Sequence, residues 1–164
     1  MMARFFKPQP ERIEMKKLTF AVLAATLATS AFAQNYKVED AIKWRQSAYQ
    51  ILYWNTERLD QNLKSGQFSK DDAIKAANTI AAIANSGMGQ LYFKGSEQSD
   101  KIQTRVKPEM FTDAQGAKDA AVAFAGAANE LQKVAQTGDV TAIAKQLEAL
   151  GNTCGGCHKK FKQK

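Results

Sequence analysis

Cys154-Gly155-Gly156-Cys157-His158 sets two thiols three residues apart, with an imidazole directly after the second. Each thiol of such a pair can add to one vinyl group on the same porphyrin edge, and the adjacent imidazole then reaches the iron as its axial ligand. Gly155 and Gly156 leave room for a flat macrocycle against the backbone. Other uses of these side chains fit less well. A structural zinc site needs four ligands, and the chain holds two cysteines and one histidine. A thioredoxin-like redox pair follows a strand and opens a helix, whereas this motif falls near the end of the last helical stretch. A disulfide would suit an oxidising compartment, but it leaves His158 without a role. The motif therefore reads as a covalent haem c site, one haem per chain, with thioethers at Cys154 and Cys157 and iron ligation by His158.

The N-terminus agrees. Lys16-Lys17 precede an apolar run from Leu18 to Phe32 that closes in Ala31-Phe32-Ala33. This is the pattern of a secretory signal, with cleavage expected after Ala33 and Met15 as the expected start. The run spans about 15 residues and carries Thr19, Thr26, Thr29 and Ser30, which is too short and polar for a membrane span. Residues 1–33 thus read as an upstream extension plus signal peptide, and residues 34–164 as one domain without a membrane span, expected in the periplasm. Cleavage removes five basic and two acidic residues, so the formal net charge falls from +7 to +4. The remaining charges are interspersed apart from the tail Lys159, Lys160, Lys162 and Lys164. That tail could steer an acidic redox partner, but a helix end favoured by the macrodipole explains it as well. No basic stripe interleaved with aromatics points to nucleic acid.

Periodicity predicts four helices and no strand to position the motif. The first runs from about Val38 to Lys64, with Ile42, Tyr49, Leu52, Leu59 and Leu63 on one stripe that Arg45 and Thr56 complete. Trp44, Ala48 and Ile51 form a second apolar stripe, either a buried flank or a subunit contact. The second helix opens at the N-cap Ser69, with Ile74, Ala77, Ala81 and Ala84 inward and Ile80 and Ile83 alongside. The third runs from Thr112-Asp113 to about Thr137, with Ala117, Ala121, Phe124, Ala128, Leu131 and Ala135 inward. The fourth starts at Asp139 and runs to the tail. Ile143, Leu147, Leu150, Cys154, Cys157 and Phe161 share its inner seam, which is expected to turn both thiols and His158 into the bundle. The segment from Gly87 to Phe111 is too long for an ordinary connection and reads as a crossover with short helical turns. Spacing alone makes Tyr49 a core aromatic. Arg45, if buried, needs a counter-charge, either a haem propionate or a carboxylate on a neighbouring helix.

A signal peptide, four helices and a C-terminal Cys-x-x-Cys-His together resemble cytochrome c′, the class II c-type cytochromes. Arg45-Gln46-Ser47-Ala48-Tyr49, Arg105-Val106-Lys107-Pro108-Glu109 and the haem motif carry the likeness, which covers the whole chain after the signal. It implies an all-α, antiparallel four-helix bundle with haem c held in the core near the C-terminus, and a homodimer through the first two helices. It also implies that Arg45 and Gln46 contact the haem and its propionates, and that Arg105 or Lys107 lies near the same edge. Tyr49 would sit over the vacant face of the iron, and Phe161 and Lys162 would lie on the proximal side. Lys162 departs from the Arg found in many members, keeping the charge but losing the planar fork.

His158 is the sole histidine, which excludes bis-histidine ligation within one chain and argues against a dedicated peroxidase. Low-spin members use a first-helix methionine as sixth ligand, and residues 34–64 contain none. The resemblance then implies five-coordinate iron behind a tight distal pocket that admits nitric oxide and carbon monoxide. The expected role is gas binding rather than enzymatic turnover, with plain electron transfer through a periplasmic redox partner as the alternative.

Overall fold

The computed structural model describes residues 36–164; the expectations for the signal segment lie outside the described residues. Four long helices carry the chain: α1 (Val38–Lys64), α2 (Lys70–Ala84), α3 (Ala114–Thr137) and α4 (Val140–Phe161). Their ends are set by local chemistry. Glu39 and Asp40 open α1 and Lys64 closes it, each favoured by the helix dipole. Gly66, at φ 71°, then turns the chain through the left-handed region. Asn62 fixes that turn, because its side chain donates to Ser69 O (2.7 Å) and accepts from Ser69 N (2.9 Å). Ser69, Asp113 and Asp139 cap α2, α3 and α4 by accepting from Asp72 N, Gly116 N and Ala142 N. Gly138, at φ 76°, ends α3.

Short connections make α1–α2 and α3–α4 antiparallel neighbours. α1 packs on α2, α2 on α3 and α3 on α4, whereas α1 meets α4 at few places. The hydrophobic core fills the half of the bundle nearest the two short turns. Leu52 and Leu59 meet Ile80 there, with Leu131, Ile143 and Leu150 closing the other side. One inner stripe is broader than expected. On α2, Ala77, Ile80 and Ala81 are buried, Ala73 and Ala76 are buried with them, and Ile74 lies at the margin. On α3, Phe124, Ala128, Leu131 and Ala135 join the core as expected, and Ala117 and Ala121 lie on the other half of the helix. That half of α3 faces the stretch of α4 holding Gly151, Gly155 and Gly156, and small side chains on both helices cannot close the gap.

The crossover contains a 3₁₀ turn, Met88–Leu91, and a single helical turn, Glu109–Thr112. It ends in a contact that periodicity cannot show: Val106 and Lys162 form an isolated antiparallel bridge, so α4 stops at Phe161 and the tail pairs with the crossover. Among the described residues no helix is long and apolar enough to cross a membrane.

Candidate functional site

The open side between α1 and α4 lies at the end of the bundle away from the core. Cys154 and Cys157 project there as half-buried free thiols. Burial pushes both thiols up, so they are held neutral, with the Thr153 hydroxyl and the Cys154 amide partly opposing this at Cys154. His158 follows Cys154 by four residues on the same helix. An interval of four residues advances 40° on a helix, to the side of the thiol seam away from Cys157. Desolvation of its covered part, then the charges of Lys162 and Arg105, hold its pKa below the usual imidazole value.

Tyr49 lies outside the packed core cluster. Its hydroxyl is nonetheless covered, and burial pushes its pKa up, with the Cys157 and Cys154 thiols adding to the rise. The Tyr92 hydroxyl donates to Tyr49 Oη at 3.4 Å, and burial pushes Tyr92 up as well. Both tyrosines and both thiols therefore share one neighbourhood. Tyr92 was not foreseen; the signal was an aromatic inside a glycine-rich crossover that had to return against α1.

Arg45 is 2% exposed. Its Nη1 donates to Leu91 O and Ser96 Oγ, both at 3.1 Å. Nη2 donates to Ser96 O (2.6 Å) and Thr104 Oγ1 (3.2 Å). The guanidinium also lies 4.7 Å from the centroid of the Tyr92 ring. Among the described residues no carboxylate of a neighbouring helix bonds the cation; oxygens of the crossover and an aromatic face surround it, and burial lowers its pKa, opposed in part by Tyr92, Tyr49 and Glu97. Gln46 likewise reaches the crossover, donating to Gln103 O at 2.8 Å. Arg105 and Lys107 lie along the end of α4, their side chains donating to Gln163 O and Lys159 O. Phe161 is buried under the Lys160 ammonium, and Lys162 is exposed at the end of α4.

The arrangement fits a haem. The two thiols are free, three residues apart and on one helix side, and a Cβ built on Gly155 or Gly156 meets nothing within 4 Å. Gly151 is equally open, and Ala117 and Ala121 add no bulk across the gap. A four-helix bundle ending in Cys-x-x-Cys-His is a c-type haem protein of the class II kind. Comparison with known proteins gives the family. Residues 40–162 match the family model described as Cytochrome C′. The cytochrome c′ of Rhodocyclus tenuis is 56% identical over 129 residues, covering 78% of this chain and 97% of that one. That of Allochromatium vinosum is 40% identical over 144 residues, covering 87% and 93%. Among solved structures, cytochrome c′ from Thermochromatium tepidum aligns with a TM-score of 0.76 at 35% identity, covering 79% of this chain and 99% of that one. Another, described as a cytochrome c′ with an unusual ligand-controlled dimer dissociation, aligns with a TM-score of 0.77 at 39% identity and the same coverage. The chain belongs to the cytochrome c′ family.

Proposed function

We propose that this is a periplasmic gas-binding haem protein, with one haem c held by thioethers at Cys154 and Cys157 and by His158 on iron. When bound, the haem would supply an iron able to take a small neutral diatomic, nitric oxide or carbon monoxide. The protein's own residues do the rest. Tyr49 covers the distal approach, and Tyr92 supports its hydroxyl. Arg45 and Gln46 hold the crossover beside that approach and stand nearest the propionate edge. Phe161 and Lys162 close the proximal side.

The observation that carries this reading is the composition of α1 where it faces the thiols. It presents Tyr49 and no methionine, and no second histidine exists in the chain. A phenol under a neighbouring hydroxyl, with its pKa pushed up, stays neutral and is a poor iron ligand at neutral pH. The role is binding, for nitric oxide protection or electron transfer, rather than turnover. A homodimer is part of the proposal. Trp44 is 49% and Ile51 47% exposed beside half-buried Ala48, and the relative described by its ligand-controlled dimer dissociation assembles as a dimer. Resonance Raman spectra of the ferrous protein test the reading. A five-coordinate high-spin signature that changes on adding carbon monoxide supports it. A six-coordinate low-spin spectrum indifferent to carbon monoxide would leave only the electron carrier.

A further inference from the structure

His158 sits three residues before the end of α4. An iron-ligating histidine is usually oriented by a hydrogen bond on its second ring nitrogen. Among the described residues no such bond joins this imidazole, so its direction depends on the turn of helix that bears it. That turn is held by another part of the chain. The last carbonyls of a helix lack intrahelical partners, and here the crossover supplies them. Lys107 N donates to Phe161 O (2.9 Å) and Lys107 Nζ to Lys159 O (3.3 Å). Just beyond, Gln163 N donates to Arg105 O (2.8 Å), and Arg105 Nη2 donates back to Gln163 O (2.9 Å). Pro108 explains why the crossover can do this: the residue before a proline is biased to extended backbone, which suits Lys107 to run alongside extended Lys162. Two further anchors act on the same turn. Phe161 is buried, and Lys160 pairs with Asp113 at the start of α3.

We propose that Arg105 and Lys107 are proximal positioning residues: they clamp the last turn of α4 and so aim the His158 imidazole at the iron. Resting on the haem reading of the motif, this gives both residues a role other than the haem-edge contact that the family resemblance implies. Each spends its side chain on a tail carbonyl. The clamp replaces a hydrogen-bonded partner on the ring with a rigid backbone beneath it.

The test uses the holoprotein with Arg105→Gln and Lys107→Met combined. Two readouts are taken, amide exchange at Lys162 and Gln163 and the iron–histidine stretching band in resonance Raman. The clamp predicts amide exchange faster by roughly tenfold or more, from the loss of the two side-chain hydrogen bonds to Gln163 O and Lys159 O. It also predicts a broadened, shifted iron–histidine band at unchanged covalent haem content, restored by Arg105→Lys with Lys107→Arg. Faster exchange with an unmoved band would overturn the positioning role. So would a changed redox potential with both readouts unmoved, which would return these residues to the haem edge. If the double variant does not fold, Arg105→Gln alone takes the same two measurements. Failure of the haem reading is distinct, since the wild type would then show no iron–histidine band at all.

Discussion

Replacing Arg45 with Met separates two roles for a buried cation, that of holding the crossover and that of serving a propionate. Methionine keeps the length of the side chain and removes every donor. The cost follows from which acceptors are left alone. Ser96 Oγ keeps Leu91 O and Phe93 N as partners, and Thr104 Oγ1 keeps Val106 N. Ser96 O, accepting at 2.6 Å, has no second partner among the described residues. One orphaned buried carbonyl costs about 1–3 kcal/mol, and the lost cation–aromatic contact adds about 0.5–2 kcal/mol. Removing a buried guanidinium recovers part of its desolvation, so the net loss should be about 2–4 kcal/mol. Lysine should lose less, keeping the charge but not the fork that spans Leu91 and Ser96. Denaturant unfolding of the holoprotein measures the total, and limited proteolysis within residues 87–111 shows where it falls. Wild-type stability in Arg45→Met, or lost stability with the crossover still protected, would refute the reasoning.

Three other outcomes are expected. Tyr49→Ala should speed carbon monoxide association and lower the stability of the holoprotein, by no more than the roughly 3–5 kcal/mol of a fully buried aromatic. Unchanged gas kinetics would remove this residue from the distal approach. Glutamate at Ala48 and Ile51 should shift sedimentation from dimer to monomer, and an unaffected dimer would move the interface off α1. Asp113→Asn keeps the cap but loses the charge paired with Lys160. That pairing and the Gly116 amide hold the Asp113 pKa below its ordinary 3.8, so the stability it contributes is present above that value and lost as pH falls through the lower folded one. The melting-temperature gap between wild type and Asp113→Asn should therefore be steady near neutral pH and close in acid.

Where the fold was legible in the sequence, the signals were local. Ser69, Asp113 and Asp139 cap helices by their own side chains, and Gly66 and Gly138 mark the ends of α1 and α3 through backbone freedom. Leu59, Leu131 and Leu150 are inward by spacing alone. The haem end was harder to read because alanine and glycine carry little directional signal: Ala117 and Ala121 share the inward period of Phe124 and Ala128, and nothing in that period separates a packed core from a gap between helices. Tyr49 posed the same difficulty, since spacing alone does not tell a core aromatic from one that stands beside the Cys154 and Cys157 thiols. The partners of Arg45 were hidden for a different reason. Leu91 O and Ser96 O are backbone groups of an irregular segment, which no side-chain pattern reveals. The Val106–Lys162 bridge is equally silent, with Pro108 as its one clue.

The central claim is that the chain carries one haem bound through Cys154 and Cys157. Mass spectrometry under denaturing conditions, on protein made in a host with working haem-attachment machinery, tests it most directly. The account predicts the mass of the chain plus one haem, the addition confined to the peptide spanning residues 154–158 and abolished when both cysteines are replaced by alanine. A haem-free mass for the wild type, or haem retained covalently by the double variant, would contradict it.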